Sequence, residues 1–299
     1  MLLTDFFNDH YRPQRLLGKS KNTTRLYLFS IRSFGKTLST EPTLADLTDV
    51  NLIRHMQAVI DNGRAPATAN KDRDQLLTIW RHAHRLGMVD QYPNVPRLNE
   101  PERTPQAWLP DEFAKLLAAI DTQEGYFCHV PRSLWWKSLV LVCLDTGERI
   151  TAIRDARWDW FSEDWFKVPA EARKGSRRDR SYRLSNDTLG HLEAIRLVSP
   201  SKPFPWPYCP MYLWVLYGDL LKDAGLPAGR RDKFHKLRRT TGSVAHAAGL
   251  DAQEVLDHQY RRTTQRYLDP RFTRDRQACD VMHDYLANPP PPNPTRRLG

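Results

Sequence analysis

The chain has 299 residues, room for about two domains that each bury a core. Its 40% hydrophobic and 27% charged residues exclude a disordered polycation, and its longest strongly apolar run, residues 139 to 144, is far too short to span a membrane. The formal net charge of +10 points to a polyanionic partner, because phosphates favour faces rich in Lys and Arg. The four cysteines, Cys128, Cys143, Cys209 and Cys279, are widely spaced. With no Cys-x-x-Cys among them, neither a zinc site nor a dense disulfide framework is expected, and a reducing compartment suits them. The N-terminus lacks a basic segment followed by a long apolar one, so no signal peptide is read and a cytoplasmic location is expected.

Residues 1 to 92 read as four helices. Leu3, Phe6, Phe7 and His10 mark a short first one. Asn22 or Thr23 can cap the second, whose Tyr27, Ile31, Phe34 and Leu38 share a face. The third starts near Thr48, carries Leu52, Met56 and Val59, and stops at Gly63; the fourth runs from about Ala67, turns Leu76, Trp80 and Ala83 inward, and ends at Gly87. Their stripes must pack together, which predicts a small helical bundle. Opposite the stripes lie Arg25, Arg32, Lys71, Arg73, Arg81 and Arg85, candidate phosphate contacts.

Prolines at 93, 96, 101 and 105 then make residues 93–108 a linker. Leu109-Pro110-Asp111-Glu112 opens a second domain with a helix start. Further helices are expected through residues 134 to 144, 186 to 198, 211 to 224, 233 to 248 and 273 to 286. Between the first two, Trp165-Phe166-Lys167-Val168 and Ser181-Tyr182-Arg183-Leu184 alternate like strands around a basic connection, as a hairpin does. The tail 288–299, with five prolines, is expected to be disordered. The fold class is therefore mainly α, with a small antiparallel sheet in the second domain, 109–287.

One set of residues carries a chemistry. It comprises Thr146-Gly147-Glu148-Arg149-Ile150, the hairpin lysine Lys174, His235-Lys236-Leu237-Arg238-Arg239-Thr240, Leu256-Asp257-His258 and Thr263-Thr264-Gln265-Arg266-Tyr267. His235 and Arg238 stand one helical turn apart, and Tyr267 follows His258 by nine residues. Single pieces are weak signals, but all five in this order and spacing are strong. In them the second domain resembles the catalytic domain of the tyrosine recombinases, also called phage-type integrases. The first domain, with Ala67-Thr68 and Asn70 leading its fourth helix, resembles that family's four-helix core-binding domain.

These residue types suit phosphoryl transfer without a metal or nucleotide cofactor. Arg149 and Arg238 offer planar forks that grip phosphate oxygens and stay charged. Tyr267 supplies the nucleophile for a covalent phosphotyrosine, and His235 and His258 move protons or bond the phosphate. The resemblance implies that Lys174 is the acid that protonates the leaving 5′-oxygen. Basic clusters containing Arg177, Arg178, Arg180, Arg230, Arg231, Lys233, Lys236, Arg239, Arg261 and Arg262 would track the DNA backbone. The resemblance also implies a partner, double-stranded DNA in the nucleoid, and a homotetramer on two DNA sites with exchange of the last helix. The expected function is a site-specific recombinase or integrase of a mobile element. A catalytically decayed DNA-binding relative and a relaxing type IB-like topoisomerase are the alternatives.

Three departures from the family pattern stand out. A carboxylate usual three residues after the first arginine is Ala152 here, leaving Glu148 or Asp155 to support Arg149. Asp257 replaces a glycine and puts a carboxylate beside His258, where it is expected to raise that ring's basicity. The interval from Gly249 to His258 is about one helical turn short.

Overall fold

The apolar stripes of the first hundred residues close on one another in the computed structural model, which describes residues 1–173 and 178–273, with Met282 and Ala287 beyond. The chain divides into two compact units, Met1–Glu102 and Arg103–Gly299.

In the first unit, α1 (Leu3–Phe6) runs through a wider π turn at Phe7–Tyr11 into α2 (Arg12–Arg15). Then follow α3 (Lys21–Leu38), α4 (Asp49–Asp61) and α5 (Pro66–Arg85). Phe6, Phe7, Phe34, Leu52, Leu76 and Trp80 form one buried core. The cap of α3 is Ser20, not Asn22 or Thr23: Ser20 stays extended at φ −62°, and its Oγ accepts the Thr23 N–H at 3.3 Å.

The expected linker is shorter than its prolines suggest, because both of its ends are packed. Val95 is buried, the Arg73 Nε donates to the Val95 and Pro96 carbonyls at 3.0 and 2.9 Å, and the Asn70 amide holds the Leu98 carbonyl at 2.9 Å. This part of the segment belongs to the first unit. Ala107 and Trp108 are buried in the second.

The second unit begins with α6 (Pro110–Asp121), whose Glu112 carboxylate accepts the Leu109 N–H at 2.9 Å. A two-residue hairpin, β1 (Tyr126–Phe127) and β2 (Val130–Pro131), leads into α7 (Arg132–Thr146). Helix α7 is apolar on nearly every side, and such a helix is stable only when wrapped. Next come α8 (Ile150–Arg154), an antiparallel sheet of β3 (Phe161–Ser162), β4 (Trp165–Val168) and β5 (Arg180–Arg183) in that order, and α9 (Asn186–Val198). In the sheet Phe166 pairs with Tyr182, and Phe166, Val168 and Tyr182 turn inward while Trp165 and Lys167 turn out. The chain ends its described part with α10 (Tyr212–Asp223), α11 (Phe234–Ala247), α12 (Ala252–Val255), α13 (Arg261–Gln265) and α14 (Pro270–Thr273). Trp108, Trp135, Trp136, Leu139, Tyr217 and Phe234 share its core. Lys174, Arg177, the remainder of the helix expected to 286 and the tail 288–299 lie outside the described residues.

Candidate active site

Helix α7 stops at Gly147, whose φ of +58° suits a residue without a side chain. The turn hands the chain to Arg149, which caps α8 with its own side chain about one-third exposed. Arg149 shares the wall of a cleft open to solvent with Trp214, Arg230, Lys233, His235 and Arg238. His235 and Arg238 reach it from the first turns of α11.

Arg238 is almost fully buried. It donates from Nη1 to the Gly147 carbonyl and from Nη2 to the Leu256 carbonyl. These carbonyls close α7 and α12, where helix dipoles leave partial negative charge, so one guanidinium ties both turns together. Its carbon lies 5.8 Å from the centre of the Tyr267 ring. The His258 ring lies 4.6 Å from that ring and the His235 ring 6.2 Å. Four of the residues singled out in sequence therefore meet: His235, Arg238, His258 and Tyr267, with Arg149 on the adjoining cleft wall.

Glu148 is the carboxylate beneath Arg149. One oxygen accepts the Arg149 N–H at 2.6 Å and stands 3.7 Å from its Nη1. The other accepts from Arg173 Nε and from the Tyr182 hydroxyl, each at 2.7 Å. Burial alone would raise the Glu148 carboxyl; the Arg149 N–H, the Tyr182 hydroxyl and Arg173 outweigh it and hold it below the usual range. Asp155, the other candidate support, pairs with Arg154 instead. Position 152 is buried as plain core alanine.

Asp257 pulls on His258 in the expected direction but is outweighed. It adopts a glycine-like φ of +49°, but its carboxylate turns away from His258 to Arg173 at 2.9 Å and Arg178 at 2.8 Å. His258 is made less basic, not more. Burial first, then Arg238 and Arg149, push its pKa down to about 4, and the opposing pull of Asp257 is the smallest effect. At neutral pH its ring is neutral, with Nδ1 3.1 Å from the Thr264 hydroxyl. His235, although its edge is exposed, is also shifted down by desolvation and by Arg239, Arg238 and Arg149.

The expected DNA contacts divide. Arg25 and Arg81 are exposed on the first unit, as are Arg178, Arg230, Arg231 and Arg261 on the second. Arg25 donates to the Asn22 side chain at 3.0 Å, Arg81 lies over Tyr92, and Lys71 lies over Phe29, half-buried. Arg180 and Arg239 are half-buried and bonded to the Glu254 and Arg231 carbonyls. Two expectations fail. Arg73 is spent on the Val95 and Pro96 carbonyls and on Asp74, with its side chain only 12% exposed. Lys236 is buried, its Nζ 3.5 Å above the Trp108 ring and 3.6 Å from Asp232.

Sequence reasoning passed over Tyr182 and Asp269. Strand alternation does place Tyr182 beside the inward Phe166 and Val168, and a buried tyrosine hydroxyl needs a partner. Asp269 carried no such signal.

No protein-family model matches the sequence, and no curated protein matches it. Solved structures do match the fold. The lambda integrase dimer bound to a COC′ core site superposes with a TM-score of 0.71 at 18% identity, covering 93% of this chain and 98% of that one. The Tn1549 transposon integrase with a circular intermediate DNA gives 0.73 at 12% identity, covering 96% and 99%. A lambda integrase tetramer bound to a Holliday junction gives 0.72 at 18% identity, covering 93% and 79%. The fold is that of the tyrosine recombinases. In this fold Arg173 links Glu148, at 2.7 Å, to Asp257, at 2.9 Å.

Proposed function

We propose that the protein is a site-specific DNA recombinase that cuts and rejoins strands through a 3′-phosphotyrosine on Tyr267. The observation that carries this reading is the gathering of Arg238, His258 and His235 around the Tyr267 ring, beside the Arg149 cleft. The phenol oxygen attacks the phosphorus, a Tyr–O–P bond forms, and the bond to the 5′-oxygen breaks. Neutral His258 is poised to take the phenol proton or to bond the phosphate. Arg149 and Arg238 offset the charge that grows on the non-bridging oxygens. The 5′-oxygen leaves as a hydroxyl, with its proton assigned to Lys174 on the strength of the resemblance alone. Attack by a second 5′-hydroxyl reverses the step and joins a new strand, because the covalent link conserves the bond energy.

The partner in this reading is double-stranded DNA, tracked by the exposed arginines. Since lambda integrase is seen as dimer and tetramer on DNA, we extend to this chain a tetramer on two sites with exchange of the C-terminal segment.

A nicked suicide DNA substrate tests the reading. The wild-type protein should trap a covalent adduct that Tyr267→Phe abolishes while DNA binding persists. Binding without any adduct would mark a decayed site. Relaxation of supercoils without exchange between paired sites would mark a topoisomerase.

A further inference from the structure

Just past Tyr267 the chain is bolted down on two sides. Ser243, fully buried on α11, donates from Oγ to the Tyr267 carbonyl at 3.3 Å and accepts the Asp269 N–H at 2.9 Å. The Asp269 side chain, 1% exposed, then accepts the Ala107 N–H at 2.7 Å. Arg271 completes a closed ring: its Nη2 donates to Asp269 at 2.7 Å and to the Ala107 carbonyl at 3.0 Å. Ala107 is thus gripped by both its N–H and its C=O, where the chain enters the second unit. Next to it the Trp108 N–H donates to the Thr240 hydroxyl at 2.8 Å, back on α11. Upstream, the Tyr267 N–H donates to the Thr264 carbonyl at 2.7 Å, and Thr264 carries the His258 contact.

We infer that Asp269 is the positioning residue of the nucleophile: its buried carboxylate, closed by Arg271 onto Ala107, fixes where the Tyr267 backbone sits over α11. This rests on the reading of Tyr267 as nucleophile. The physical case is that the segment between His258 and α14, which holds only the short helix α13, is exposed along most of its length and has little packing of its own. Its ring contacts with His258 and Arg238 hold only if the backbone is anchored. A charged carboxylate taking N–H donors from Ala107 and Arg271 is a directional anchor of this kind. It also joins the nucleophile to the peptide leading in from residues 101 to 106, so the position of Ala107 and that of Tyr267 are set together.

The test is single-turnover adduct formation on the suicide substrate at saturating DNA, comparing wild type with Asp269→Asn. The asparagine keeps the shape but turns an amide N–H₂ towards N–H donors. The expected result is a rate lower by about 10- to 100-fold, since misplacing a reacting group by about 1 Å costs about that much. The DNA concentration for half-saturation should stay within about twofold. A carboxylate that served stability alone would lower the reacting fraction, recoverable on cooling, and leave the rate of that fraction unchanged; this result overturns the inference. Should Asp269→Asn fail to fold, Arg271→Ala decides, because it keeps the bond to Ala107 and removes only the closure. A wild-type rate in that variant likewise overturns the latch. Absence of any adduct from the wild-type protein sinks the nucleophile reading itself, and the latch with it, which separates the two failures.

Discussion

His258 bears the clearest electrostatic signature of the site. Its pKa is pushed from 6.5 to about 4 in the folded protein, while the unfolded chain keeps the ordinary value. Between those two pH values the unfolded state binds the proton and the folded state does not, so stability falls as pH drops. The contribution is intact above about pH 6.5 and lost by about pH 4. From pH 7 to pH 5 the loss is about 2 kcal/mol on this account. The depressed carboxylates Glu148, Asp257 and Asp269 act with the same sign, but at lower pH, below the ordinary carboxylate range. His258→Gln should therefore flatten the dependence of the urea midpoint on pH between 7 and 5. His235 and His82, also shifted down, keep some slope. An unchanged slope in the variant would mean that His258 titrates normally.

Helices α7, α11 and α12 meet at one side chain. Leu256 is fully buried between Gly147 and Gly242. A Cβ on Gly242 would stand 2.6 Å from Leu256 Cδ1, and one on Gly147 3.1 Å from Cδ2. With Leu256 enclosed, Gly242→Ala must displace the α12 turn, whose carbonyl Arg238 holds. Overpacking of this kind costs about 1–3 kcal/mol, and adduct formation should slow as Arg238 loses its partner. Gly190→Ala, on the exposed face of α9 with nothing within 4 Å, should stabilise by about 0.5–1 kcal/mol through helix propensity. Chemical denaturation of the two variants checks the opposite signs. The same contrast shows what was legible in the sequence. The long helices α3, α4, α5, α9, α10 and α11 lie within a residue or two of their apolar stripes, because three or more turns of period 3.6 leave a clear pattern. β4 and β5 showed through alternation. α8, α12, α13 and the β1–β2 hairpin are too short to have a period. The site's motif residues were legible as spacing, but the Glu148–Arg173–Asp257 chain and the Asp269 latch join segments far apart in sequence. Nothing local distinguishes their charges from surface ones.

At the scale of the whole molecule, the charge of +10 says that cations are in excess but not which of them are available. The structure divides them. Arg73 and Lys236, basic residues in stretches that read as DNA-facing, hold carbonyls or cover an aromatic ring inside their own units. Arg230 and Arg261 point into solvent, Arg230 at the rim of the Arg149 cleft. If phosphate neutralisation drives binding, each true contact adds about −0.9 to the slope of log Kobs against log salt on duplex DNA. Arg230→Ala and Arg261→Ala should each reduce the slope by about that amount and leave Tm unchanged. Arg73→Ala and Lys236→Ala should do the reverse, lowering Tm while the slope stays that of the wild type. The distinction between the two classes would vanish if net charge, rather than its placement, governed the interaction: every variant loses one positive charge, so all four would then shift the slope alike. Titrations of a fluorescent duplex at four or five salt concentrations, paired with thermal melts of the same preparations, separate these outcomes.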